Sequence, residues 1–287
     1  MDTNSPNDWE TTIWHSPEEV FTELAKLRLH NTQWVFRGQS EPRSLYPNID
    51  RFFDNTRFKN QSVSDIRSTK LNIERQIIER FRTAIKATAG DKQLIFQAST
   101  IVTLMVIQHH GGPTRLLDWS FSPYVATYFA VNNQYKDDAD GEIWAFNYNQ
   151  YMDKGPKQWE NYPEVYKDGV FDSNLSTAFE NDYQNNWIVC QFLKDPFPRL
   201  EAQEGLFTFC PQFGSNHAER LAFLLNDKNH FHHYVIKGCK DNKKVIRTYL
   251  RNQLGIWYGQ IYPDLPGVST GLLEIFKDEG FVEKFLE

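Results

Sequence analysis

The chain has 287 residues, of which 40% are hydrophobic and 24% charged, enough length and apolar content to bury a core without disulfides. Its net charge of −6 excludes a bulk electrostatic pull toward nucleic acid or anionic membranes, although a local basic groove stays compatible with it. Cys190, Cys210 and Cys239 are scattered and odd in number, the polar N-terminus is no secretory signal, and no run nears the roughly 18 apolar residues that span a bilayer, so the expectation is a cytoplasmic protein without membrane contact.

In chain order, SPEEVFTELAKLRLH (16–30) opens with a Ser cap, a proline and two acids, and Val20, Leu24, Leu27 and Leu29 give it a buried helical face. TQWVFRGQS reads as a short strand ending at Gly38, followed by loop over 39–60. Ile66, Leu71, Ile77, Ile78, Phe81 and Ile85 recur at near-helical spacing and predict a long helix over 62–88. A second helix over 92–108 runs into the His-Gly-Gly-Pro breaker. Ser122-Pro123 starts another helix over 122–131, where Ala126 and Ala130, four apart, offer a face for close packing. GEIWAFNY (141–148), WIVCQF, GLFTFCP and HFHHYVI (230–236) are strands. Residues 241–254 form a helix closed by Gly255, and a last helix lies near 268–278. Residues 149–185 are polar and aromatic with weak periodicity and read as an insertion. Strands and helices mix without regular βαβ alternation and without a break, which predicts one α+β domain over 1–287.

Arg37 ends a buried strand before a glycine. It can hold a phosphate or carboxylate through paired hydrogen bonds, with Gly38 letting a ligand approach the backbone, or it can pair with a local acid. QHHGGPTRLLDWSFSPYVATYFA (108–130) sets His109, His110, Arg115 and Asp118 around a turn ahead of a helix. An internal Arg115–Asp118 pair that locks the loop is one reading, a site wall the other. Glu201, Gln203 and Glu204 stand just before a strand, as a solvated loop or as groups that orient a sugar hydroxyl. His230, His232 and His233 look metal-like, but alternation splits them across two strand faces, so no metal is expected. The familiar phosphate-loop, dinucleotide and hydrolase motifs are absent.

Four segments, WVFRGQS, QHHGGPTRLLDWSFSPYVATYFA, EAQEGLFTF and LGIWYGQIYPDLPG, resemble the FRG domain family in order over roughly residues 30–267, with 149–185 unmatched. The family takes its name from Phe-Arg-Gly, here Phe36-Arg37-Gly38. The arrangement in turn looks like a divergent ADP-ribosyltransferase. That likeness implies a split β-sheet core with flanking helices and transfer of ADP-ribose from NAD, with no metal. It implies Arg37 and Gly38 at the NAD phosphates, Ser120 or Ser122 on the nicotinamide ribose or amide, and Tyr128 stacked on nicotinamide. Glu204, or its neighbour Gln203, would act on the ribose 2′-hydroxyl, His110 would serve as acceptor-side base, and Arg115 and Asp118 would fix the loop. Partners implied are a macromolecular acceptor (RNA, DNA or protein) and an antitoxin, since such transferases serve as bacterial toxins or anti-phage effectors. A non-catalytic NAD sensor and an NAD glycohydrolase are the alternatives.

Overall fold

The alternating stretches meet in a single mixed sheet. In the computed structural model, which describes residues 9–29, 33–53, 62–88, 99–159, 166–167, 170–171, 187–192 and 198–278, it has seven strands. They are β1 (Glu10–Trp14), β2 (Trp34–Gln39), β3 (Leu116–Ser120), β4 (Gly141–Asn147), β7 (Val189–Gln191), β8 (Gly205–Phe209) and β9 (Phe231–Ile236). Their order is β1-β9-β4-β2-β3-β8-β7, parallel between β1 and β9 and antiparallel elsewhere. Two short strands, β5 (Tyr166–Lys167) and β6 (Val170–Phe171), pair with each other apart from it.

The period of two sorts side chains onto the faces. Trp34, Phe36, Ile143 and Ala145 go to one side, beneath α1 (Pro17–Leu29), α5 (Pro123–Val131) and α9 (Lys240–Leu254). Val35, Trp144 and Phe146 go to the other, beneath α6 (Tyr148–Lys154) and α8 (His217–Leu225). A third cluster packs α3 (Val63–Thr88), α4 (Thr100–His109) and α7 (Pro198–Ala202) around Leu116, Val189, Phe207 and Phe209 of the β3-β8-β7 half. The short α2 (Asn48–Phe53) follows β2, while α10 (Tyr258–Ile261) and α11 (Leu265–Asp278) close the chain.

α5 sits unusually close to the sheet, for a reason written in the sequence. The Ser122 hydroxyl accepts from the Val125 amide at 3.4 Å and caps the helix, and Pro123 occupies its first turn. The Ala126 and Ala130 turns then rest on two glycines. A Cβ at Gly38 would lie 1.8 Å from the Ala126 carbonyl oxygen, and one at Gly141 would lie 2.5 Å from that of Ala130. Gly38 is therefore glycine because a helix, rather than a ligand, crosses its backbone.

Several elements differ from expectation. β1 and β3 were not anticipated as strands, and the loop over 39–60 contains α2. The start of the 149–185 stretch is core: Tyr151 of α6 is buried and its hydroxyl joins Ile188 and Cys190. Residues 160–165, 168–169 and 172–186 lie outside the described residues, as do 92–98 of the second predicted helix. The anticipated Arg115–Asp118 pair does not form. Arg115 is buried against Glu74 of α3, with Nε 2.9 Å from both carboxylate oxygens, and also donates to the Pro211 carbonyl at 3.0 Å. Its guanidinium lies 4.0 Å from the centre of the Phe213 ring. Arg115 does fix the loop after α4, but through α3 rather than through Asp118.

Candidate functional site

β2 and β3 are paired only at Phe36 and Ser120, and beyond that pair they diverge. The missing ladder is replaced by a side chain: Arg37 Nη1 donates to the Asp118 carbonyl at 2.5 Å. A cleft of about 480 Å³ opens at this divergence, within the range of small-ligand sites. Arg37, Gln39 and Arg43 form one wall, Asp118 and Ser120 another, and Phe129, Arg199, Gln203 and Tyr262 enclose the rest.

Three arginines, Arg37, Arg43 and Arg199, and two carboxylates, Asp118 and Glu274, line the cleft. Burial is the main force on Arg37 and lowers it to about 10, with Arg43 and Arg51 adding to the depression and Asp118 opposing it. It stays charged at neutral pH. Its compensation is incomplete: the nearest carboxylate oxygen, on Asp118, is 3.8 Å away, and the buried Arg37 Nε has no hydrogen-bond partner among the described residues. An under-compensated buried cation gains more from a docked anion than an exposed one does. Arg199 adds a second charge, pinned by donating to the His109 carbonyl at 2.5 Å and lying 4.0 Å over the Tyr262 ring. His109 is pushed down to about 4, first by burial and then by Arg199, so it is a neutral ring at pH 7.

Beside this cleft lies a second compartment of about 580 Å³, and Phe36 lines both. The partition between them is the turn between α7 and β8. Gln203 Nε2 donates to the Ile261 carbonyl at 3.3 Å, and Gln260 Nε2 reaches the Ala202 carbonyl at 3.5 Å. Gln203 faces the Arg37 side and Glu204 the second compartment. Glu204 is exposed and holds a left-handed backbone with φ of 47°, uncommon for a residue with a side chain.

The structure brings Arg37, Gly38, Ser120 and Gln203 to one cleft and leaves other expected residues outside it. Ser120 is framework as well as wall, its hydroxyl donating to the Gln203 carbonyl at 2.6 Å and accepting from the Ser122 amide at 3.0 Å. Ser122 is committed to capping α5 and lines the second compartment with Glu204. Tyr128 is corrected most plainly. It is 4% exposed in the core, near Tyr258, Tyr262 and Glu274 rather than in the cleft, because that helix is buried on most of its circumference. His110 caps the C-terminus of α4 and is exposed outside the cleft, and His109 lines it instead. Asp118 is both wall and loop tie, its carboxylate accepting from Gln108 Nε2 at 2.7 Å while the Gln108 amide oxygen accepts from the Thr114 hydroxyl at 2.6 Å. Arg43, Arg199 and Tyr262 were not anticipated. Their only sequence signal was position, since Arg199 precedes the EAQE segment and Tyr262 lies in the last matched one. As alternation required, the β9 histidines separate, His232 beside Trp34 and His233 stacked on Trp144.

Residues 32–139 match the FRG domain. The three residues of its name have three tasks here. Phe36 fills the core at 2% exposure, Arg37 charges the cleft and Gly38 admits α5. The FRG match holds β2, α4, β3 and α5, whereas Arg199, Gln203 and Tyr262 follow it in the chain and close the site from outside. No curated protein and no solved structure matches the chain.

Proposed function

We propose that this chain transfers ADP-ribose from NAD to a macromolecular acceptor, with the dinucleotide held in the Arg37 cleft. The observation that carries the reading is the largely buried Arg37, whose Nε has no partner among the described residues, in a cleft where Arg37, Arg43 and Arg199 outnumber Asp118 and Glu274. A pyrophosphate supplies the missing acceptors, and guanidinium groups suit its paired oxygens. Phe129 and Tyr262 provide apolar ring surface beside the charges, as a nucleotide with flat bases needs. The sequence-implied order of Arg37, Ser120 and the Gln203-Glu204 turn fits three elements converging around one opening: Ser120 pairs with Phe36 on β2 and with Gly205 on β8.

In this reaction the bond from the anomeric carbon of the nicotinamide ribose to the ring nitrogen breaks and nicotinamide leaves with the bonding electrons. The acceptor's nucleophilic atom bonds to that carbon and gives up its proton. Arg37, Arg43 and Arg199 bind and orient the phosphates. Gln203 offers a neutral amide to a ribose hydroxyl and cannot itself take a proton. Glu204, one residue on, is the carboxylate able to stabilise positive charge developing at the anomeric carbon.

A second reading, a nucleotide-binding module without turnover, is favoured by two features. Ser120 and Ser122 both spend their hydroxyls on the framework, and Glu204 faces away from Arg37. Incubation with NAD labelled in the adenylate half and a cell lysate separates the readings. Label on a macromolecule together with free nicotinamide supports transfer, and loss of the label to protease or nuclease names the acceptor class. Free nicotinamide without labelled acceptor indicates hydrolysis, and NAD binding with neither product indicates the module.

A further inference from the structure

We propose that the compartment beside the Arg37 cleft binds an organic cation carried on an apolar stem, the chemistry of an ammonium- or guanidinium-ended side chain. Glu204 is the one charged group among the described residues lining it, whereas the adjoining cleft mixes three arginines with Asp118 and Glu274. Trp34, Phe121 and Tyr124 contribute ring surface and Leu27, Leu254 and Ile256 aliphatic wall, enough to take a short hydrocarbon stem with its head against aromatic faces. A second acceptor is also waiting. Gln260 Oε1 is buried without a hydrogen-bond partner, and Gln260 lines the same compartment. A carboxylate and an unpaired amide oxygen suit a group that only donates, which describes both ammonium and guanidinium heads.

Size and sign argue against the alternatives. At about 580 Å³ the compartment is too large for a bare ion to fill, and an anion entering it meets Glu204 with no described cation on its walls. A neutral apolar group would leave the Gln260 oxygen unpaired and forgo Glu204 altogether. Gln203 and Gln260 build the partition between the two compartments. The inference shares Glu204 with the proposed transfer reaction but does not rest on it, because none of the groups that carry it lines the Arg37 cleft.

The test is calorimetric titration of the full chain with n-pentylamine, agmatine and the neutral 1-pentanol. Saturable binding of an amine or of agmatine is expected in the millimolar range, as befits an exposed carboxylate, and the tighter of the two names the head group. Glu204→Gln should weaken it about threefold or more and Gln260→Ala should weaken it as well, while far-ultraviolet circular dichroism shows both variants folded. Pentanol binding as tightly as pentylamine, affinity untouched by Glu204→Gln, or no saturable binding of either cation would overturn the proposal. Titration of the same samples with NAD reports separately on the Arg37 cleft, so failure of one site is distinguishable from failure of the other.

Discussion

At Phe36-Arg37-Gly38, three consecutive residues face three different constraints, and Arg37 and Gly38 fail differently when changed. Gly38→Ala places a methyl group 1.8 Å from the Ala126 carbonyl oxygen, a backbone atom that cannot swing away. Separating α5 from β2 should cost about 3 kcal/mol, the upper part of the overpacking range, read as a lower urea midpoint at unchanged slope. A stability within about 0.5 kcal/mol of the parent would show that the helix does not rest on this glycine. Arg37→Lys keeps the charge but loses the planar fork that reaches the Asp118 carbonyl. NAD affinity should fall about tenfold with the thermal midpoint little changed, and an unchanged affinity would remove paired recognition from the site. The FRG triplet was legible as a strand-end arginine before a glycine. What glycine was for was not, since a helix crossing at Ala126 lies 88 residues downstream in the chain.

Among the elements, helices with caps and strands with alternation were readable. Ser122-Pro123 marks the start of α5, and Gly255, in the left-handed conformation, ends α9. β1 and β3 were not readable, because their stability comes from partners rather than from their own pattern. β1 is exposed for most of its length and is held by parallel pairing to β9. β3 follows a proline break and is held by five register pairs to β8. The same limit hid the partner of Arg115, since Glu74 is 41 residues away on α3. That buried pair ties α3 to the strand carrying Asp118 and Ser120. Glu74→Gln, which removes the carboxylate bonded to the buried Arg115, should lose about 3 kcal/mol by chemical denaturation. A loss under about 1 kcal/mol would show that Pro211 and Phe213 suffice to hold Arg115.

At the scale of the whole molecule, stability and acidity are linked through a buried histidine behind the cleft. His217 is fully buried, its Nδ1 is 2.9 Å from the Thr208 hydroxyl, and burial, reinforced by Arg37 and Arg220, holds it down at about 3 from 6.5. Between those two values the unfolded chain carries a proton that the folded chain refuses, so unfolding free energy rises with pH across the window and levels off above 6.5. His217 alone can contribute a slope of up to about 1.4 kcal/mol per pH unit. Urea denaturation of the parent and of His217→Gln at several pH values between 4 and 7 should therefore show the parent losing stability faster on acidification. Equal slopes would mean that His217 takes up its proton without unfolding.

The fold also explains why the site was only half visible in the sequence. The FRG segment supplies one side of the cleft, and its signals are local. Arg199 arrives from α7, Gln203 from the turn after it and Tyr262 from the C-cap of α10, and Tyr128 withdraws into the core because α5 is covered on most sides. Among the described residues no helix is long and apolar enough to cross a membrane, and the cleft opens on the surface formed where β2 and β3 part.

The most direct measurement is the equilibrium binding of NAD to the full chain, to Arg37→Ala and to Arg43→Ala, by titration calorimetry at low and at physiological salt. Arg43 is exposed, so its variant retains the fold even if Arg37→Ala is destabilised. An anion held by the three arginines predicts saturable binding of NAD that weakens with salt, falls with Arg43→Ala and is lost with Arg37→Ala. No binding by the parent chain, or binding that neither variant nor salt alters, would contradict a dinucleotide site at the divergence of β2 and β3.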